Sequence, residues 1–196
     1  KALENITVPA DWVGIREVKE TTTYRIIRDG NPEANSIGFD HGVMVEVLVD
    51  GQFGYYGTHK LSYDSINNAA KKAYDIASNS SKYANYSYTE SVRPKAKGVY
   101  NSPYKIKNLD LDELMNLLVR SNKILKGSNK IVTAMSMARI VDMQMRYVSS
   151  NGSDLEQSFL YMGPGFRAIA QEGNIIQSRS YTDQCQQAGM EMFNEE

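Results

Sequence analysis

Along residues 12–58 apolar and polar side chains alternate with the two-residue period of half-buried strands, and Asx-Gly pairs interrupt the alternation where tight hairpins need positive φ. The pattern predicts strands over 12–19, 22–28, 34–39, 43–49 and 52–58. A second series follows over 131–141, 142–149, 156–162, 164–170 and 174–180. Turn spacing ties the two together. Asp29-Gly30 is followed 21 positions later by Asp50-Gly51, and Asn151-Gly152 is followed 21 positions later by Glu172-Gly173. One stretch therefore maps onto the other at an offset of 122 residues, and 12–58 and 134–180 are expected to form similar sheet units.

Two segments change period from 2 to 3.6. Over 62–78, Ser62 is the expected cap, Leu61 a staple onto Ile66, and Ile66, Ala69, Ala70, Ala73 and Ala77 the buried stripe. Over 110–126, Asp110 caps, Glu113 stands three residues on, and Leu111, Leu114, Met115, Leu118 and Leu125 share a face. Strands with flanking helices make the fold class α+β, two repeated units of mainly antiparallel sheet. The expected organisation is a first α/β repeat over 1–78, a crossover over 79–109 and a second repeat over 110–196.

Shifted by the same offset, the 110–126 helix falls mostly ahead of residue 5. The 62–78 helix falls over 184–200, where Cys185, Ala188, Met192 and Phe193 begin an apolar stripe that stops at Glu196. Both ends thus read as cuts through helices, and the chain as a fragment of a longer protein.

Composition narrows the function classes. With 196 residues and 41% hydrophobic content a core is expected, and a formal net charge of -1 gives no global pull toward nucleic acid or an anionic membrane. No apolar run approaches the roughly 20 residues of a spanning helix, and residues 1–12 lack a signal-peptide pattern. A single cysteine, Cys185, fits a reducing compartment, which points to the cytoplasm. The crossover gathers Lys82, Arg93, Lys95, Lys97, Lys105 and Lys107 against Glu90, with Tyr83, Tyr86, Tyr88, Tyr100 and Tyr104 among them. Such a mixture could hold single-stranded nucleic acid or peptide; a surface connection with packed tyrosines and solvated lysines is the simpler reading.

Candidate chemistry is sparse. His41 and His59 lack the helical spacing that presents two ligands to one zinc, and are expected in turns at strand ends. Cys185 is expected in the core. Glu17 and Glu20 carry no signal of a raised pKa, and Gly163-Pro164-Gly165 reads as a turn or bulge because Pro164 removes a donor a phosphate loop would use. Thr21-Thr22-Thr23 is strand material. No catalytic, cofactor-binding or metal-ligating residue is assigned.

Trp12-Val13-Gly14-Ile15-Arg16, Arg28-Asp29-Gly30, Gly38 to Val45 (Gly-Phe-Asp-His-Gly-Val-Met-Val) and Val49 to Tyr55 (Val-Asp-Gly-Gln-Phe-Gly-Tyr) resemble in succession and spacing the N-terminal domain of the TldD/PmbA family, also labelled modulator of DNA gyrase. The resemblance implies a zinc metallopeptidase parent that degrades unfolded peptides as a homodimer, or as a heterodimer with a sister subunit, around an enclosed cavity. It also implies that the zinc motif, His-Glu-x-x-x-His, lies in a C-terminal domain. That motif does not occur in this sequence. The resemblance therefore implies a scaffold segment, non-catalytic by itself, with zinc expected elsewhere in the parent. The alternative is a free-standing binding module for peptide or single-stranded nucleic acid.

Overall fold

The computed structural model describes residues 2–182 and 185–193. In chain order these form β1 (Trp12–Arg28), β2 (Asn31–Val49), β3 (Gln52–Thr58), α1 (Tyr63–Ser81), β4 (Lys97–Asn101), α2 (Leu111–Leu125), β5 (Ile131–Ser149), β6 (Asp154–Glu172), β7 (Ile175–Tyr181) and β8 (Gln186–Gln187). The strand order is β3-β2-β1-β5-β6-β4, with β7 and β8 also paired to β6. The fold class is α+β, as the alternating and helical periods predict.

Each repeat is a three-stranded meander rather than five short strands. Strands β1, β2 and β3 have 17, 19 and 7 residues, and β5, β6 and β7 have 19, 19 and 7. The predicted pairs 12–19 with 22–28 and 34–39 with 43–49 are single strands, and the second copy fuses likewise. The reason lies in the backbone. Among the described residues positive φ is confined to Asp29, Gly30, Asp50, Gly51, Gly152 and Gly173, so Glu20-Thr21 and Asp40-His41-Gly42 run on extended instead of turning. Asp29-Gly30 and Asp50-Gly51 have positive φ at both central positions, the signature of a type I′ hairpin.

Other departures have local causes. Gly163-Pro164-Gly165 lies buried inside β6. On that strand's outer edge β8 pairs with Tyr161 and Met162 and β7 begins at Phe166, so Pro164 stands where neither ladder needs its missing N–H. The crossover contains β4, which pairs in parallel from Lys97↔Asp154 to Asn101↔Ser158. Of the helix expected over 184–200, the described residues form instead β8 and a 3₁₀ turn over Met190–Phe193. Residues 183, 184 and 194–196 lie outside the described residues.

Two compact units divide the chain, and each draws on both copies: Lys1–Lys19, Asp40–Asn101 and Gln144–Ser158 in unit 1, and Glu20–Phe39, Ser102–Met143 and Phe159–Glu196 in unit 2. In unit 1, Ser62 caps α1 by accepting from Ser65 N–H, and the predicted stripe Ile66, Ala69, Ala70, Ala73 and Ala77 is fully buried. It meets Val13 and Ile15 of β1 and Val43, Val45, Val47 and Val49 of β2. Alanines permit close approach: a Cβ on Gly54 of β3 would run into the Ala73 carbonyl oxygen. Leu61, the expected staple, is exposed.

In unit 2, Asp110 accepts from Glu113 N–H at 2.9 Å and starts α2, whose Leu114 and Leu118 pack on Ile27, Ala138, Ile140, Leu160 and Met162. One turn beyond Leu118 the buried position belongs to a polar residue. Asn122, 1% exposed, donates to the carbonyls of Ile27 (3.2 Å) and Ala134 (3.1 Å) and accepts from Gly30 N–H (2.8 Å). Lys126 at the helix end meets Asp29 at 2.6 Å, and Asp29 also accepts from Ala134 N–H at 2.9 Å. These bonds hold the Asp29 carboxyl below its ordinary value, Lys126 contributing most and the Ala134 amide next.

Substituting Asn122→Ala removes the acceptor of Gly30 N–H and the amide donor to the Ile27 and Ala134 carbonyls, of which Ala134 keeps its bond from Asp29 N–H, and is expected to cost about 1–3 kcal/mol in chemical denaturation. Asp29, with its folded pKa depressed, contributes stability that is present above its unfolded pKa and lost as pH falls through the folded one. The stability gap between the parent and Asp29→Asn should therefore narrow as pH drops below about 4, as read by denaturation curves across pH.

Candidate functional site: a buried ion pair beneath the crossover

Alternation along β2 turns Val43, Val45, Val47 and Val49 toward α1 and leaves Glu46 on the opposite face. Glu46 is 3% exposed, which for a carboxylate demands a partner. Arg93, presented by a 3₁₀ turn over Glu90–Val92, supplies it: Nε and Nη2 donate to Glu46 Oε1 at 2.9 and 2.6 Å. Nη2 also donates to the Tyr55 hydroxyl at 3.3 Å, and the guanidinium lies 4.8 Å from the Phe53 ring centroid. Around it, Trp12 meets Phe53 edge-on, and Tyr88 lies tilted against Phe53 and edge-on to Tyr86.

Backbone and amide bonds finish the anchorage. Tyr88 N–H donates to Gly51 O at 2.8 Å, Asn151 Nδ2 donates to Arg93 O at 2.9 Å, and Gln52 Nε2 donates to the Tyr86 carbonyl. Electrostatics follow from the geometry. Its hydrogen bond to Glu46 raises the Arg93 pKa, and burial first, then the Glu46 charge, raises those of Tyr55 and Tyr147. The cation is neutralised and both phenols stay protonated at neutral pH. Such a cluster binds the crossover to the sheet and offers no activated nucleophile.

The remaining candidate residues do not converge. His41 lies within β2 rather than in a turn, and its Nε2 is 2.8 Å from Glu17 Oε1. His59 stands exposed in a bend after β3, as expected. Cys185 is exposed, not in the core, because no helical stripe forms there. Glu20 accepts from the Thr22 hydroxyl at 2.8 Å, and Thr21–Thr23 is strand, as read. Among the described residues no three His, Cys, Asp or Glu side chains gather to hold a metal ion, and no helix is long and apolar enough to cross a membrane. In the crossover Lys82, Lys95, Lys97, Lys105 and Lys107 are exposed, whereas Arg93 is consumed by Glu46. Sequence reading missed the Glu46–Arg93 pair. Its signal was the lone carboxylate in Val43–Val49.

The description "PmbA/TldA metallopeptidase domain 1" matches residues 13–77. No curated protein matches the sequence. Three solved structures are similar. A candidate modulator of a DNA gyrase from Thermotoga maritima has TM-score 0.62 and 15% identity over 90% of this chain and 39% of its own. TldE from Thermococcus kodakarensis has TM-score 0.63 and 14% identity over 95% of this chain and 41% of its own. A candidate modulator of DNA gyrase from Bacteroides thetaiotaomicron has TM-score 0.63 and 16% identity over 92% of this chain and 41% of its own. These likenesses establish the fold, and the chain spans 39–41% of the length of the structures it matches.

Replacing Arg93 with Met leaves Glu46 buried without its cation and is expected to cost about 2–4 kcal/mol. Adding Glu46→Leu to that variant should recover part of the loss. Limited proteolysis across 79–96 should accelerate in the single variant and slow again in the double.

Proposed function

The chain belongs, through residues 13–77, to the PmbA/TldD metallopeptidase family, and on that premise we propose that it is a scaffold segment of a metallopeptidase acting on unfolded peptides, non-catalytic by itself. The observation that carries this reading is where the charged groups go. Glu46 is bound by Arg93, His41 by Glu17 and Asp29 by Lys126, so the groups most capable of chemistry are spent on holding strands, turns and crossover together. That is the economy of a wall. The metal the family implies does not fit the described residues, since no three candidate ligands lie together. Its ligands are proposed to belong to another part of the whole protein, with the cytoplasm as its compartment and a homodimer or a heterodimer with a sister subunit as its assembly.

The test is chemical. The 196-residue chain, purified in a metal-replete buffer, is expected to retain no stoichiometric zinc by elemental analysis and to leave casein intact, whereas a TldD-type whole protein is expected to retain zinc and cleave casein. Chelator-sensitive casein cleavage by the chain alone would overturn the assignment.

A further inference from the structure

In unit 2 the sheet has one face under α2 and a second that no helix among the described residues is seen to cover. Alternation sends Ile27, Ala138, Ile140, Leu160 and Met162 toward α2. The intervening residues therefore point the other way: Tyr24 and Ile26 on β1, Met135 and Met137 on β5, and Tyr161 on β6. Contacts fix this second face independently. Arg28 Nη2 lies 3.9 Å from Met135 Sδ, and the Arg139 guanidinium lies 5.7 Å from the Tyr24 ring centroid. A Cβ on Gly165 of β6 would come 2.8 Å from Met137 Cγ, so the absent side chain makes room for the methionine.

These five apolar side chains are half-buried, yet they belong to neither apolar cluster of the fold. An antiparallel sheet can leave one face to solvent, and such a face ordinarily turns polar, whereas this one keeps five apolar side chains among its charges. Methionines on it are deformable and polarisable, suited to side chains of varied shape. The unpaired charges beside them are positive on balance, two arginines against the Glu20 carboxylate. Arg139 and Arg167 are exposed and make no ion pair among the described residues, while the Glu33 carboxylate is taken by Arg28 and Glu20 accepts from Thr22.

We infer that this face is a binding platform for an extended, unfolded peptide segment that combines apolar side chains with acidic ones. The inference rests on the scaffold reading and deepens it. Methionine and tyrosine side chains receive the apolar residues without fixing their identity, and Arg139 and Arg167 select against basic segments by charge. The wall would then choose what reaches the peptidase centre by binding it.

Fluorescence anisotropy on the 196-residue chain tests this with two labelled, unstructured peptides, one of Leu, Phe and Glu and one with Lys in place of each Glu. The acidic peptide should bind at least tenfold more tightly. Arg139→Glu with Arg167→Glu, both at exposed positions, should abolish or reverse that preference, and Met137→Lys should weaken both peptides. Equal affinity for the two peptides, or a preference unmoved by the arginine substitutions, would overturn the proposal. So would sedimentation showing that the face is filled by a second copy of the chain, or anisotropy showing tighter binding of single-stranded DNA. Peptide binding is read without metal or cleavage. A failure here leaves the scaffold reading standing, and zinc-dependent cleavage by the chain would sink that reading without touching this one.

Discussion

Asn122 is the residue on which most of unit 2 depends. A helix and a hairpin turn distant in sequence meet at a buried amide, which accepts from the Gly30 N–H and donates to the Ile27 and Ala134 carbonyls. The turn is the Asp29-Gly30 hairpin of the first copy, while α2 and Ala134 belong to the second. The left-handed backbone at Asp29 is thus held by groups about a hundred residues away, and the Lys126 ion pair reinforces the same junction. A compact unit of this kind cannot be assembled from one repeat.

Unit 1 solves the same problem differently. Here the Asn151-Gly152 loop of the second copy receives the crossover, through Asn151 to the Arg93 carbonyl and Ser153 to the Ala96 amide. Val13 and Ser150 exchange bonds that join the copies directly. Glu46 then draws Arg93 down onto the sheet. The basic, tyrosine-rich crossover is therefore a strap rather than a free arm over residues 86–101, with Tyr88 packed against Phe53 and Tyr86 against Tyr88.

What could be read beforehand was whatever is encoded locally. Both helices, their Ser62 and Asp110 caps, the alanine stripe and the Asx-Gly turns follow from side-chain period and positive φ, which need no knowledge of partners. The 122-residue offset survives as two meanders with the same order of strands. Strand length was less legible, because nothing local distinguishes an extended run through Glu20-Thr21 from a break. β4 was hidden because its pairing with β6 is chosen by a strand more than fifty residues away. Cys185 misled for a related reason: an apolar stripe predicts a helix only where tertiary packing lets one form. Asn122 and Glu46 were visible as polar residues on apolar faces, but their partners were not.

Folding of either sequence copy is expected to require the other, because each compact unit draws on both. Co-expression of residues 1–109 and 110–196 as separate chains, compared with each chain alone, measures that dependence most directly. Neither piece alone should give a cooperative urea transition, and the pair should associate and restore one. A cooperative transition from either piece by itself, unchanged on adding the other, would contradict it.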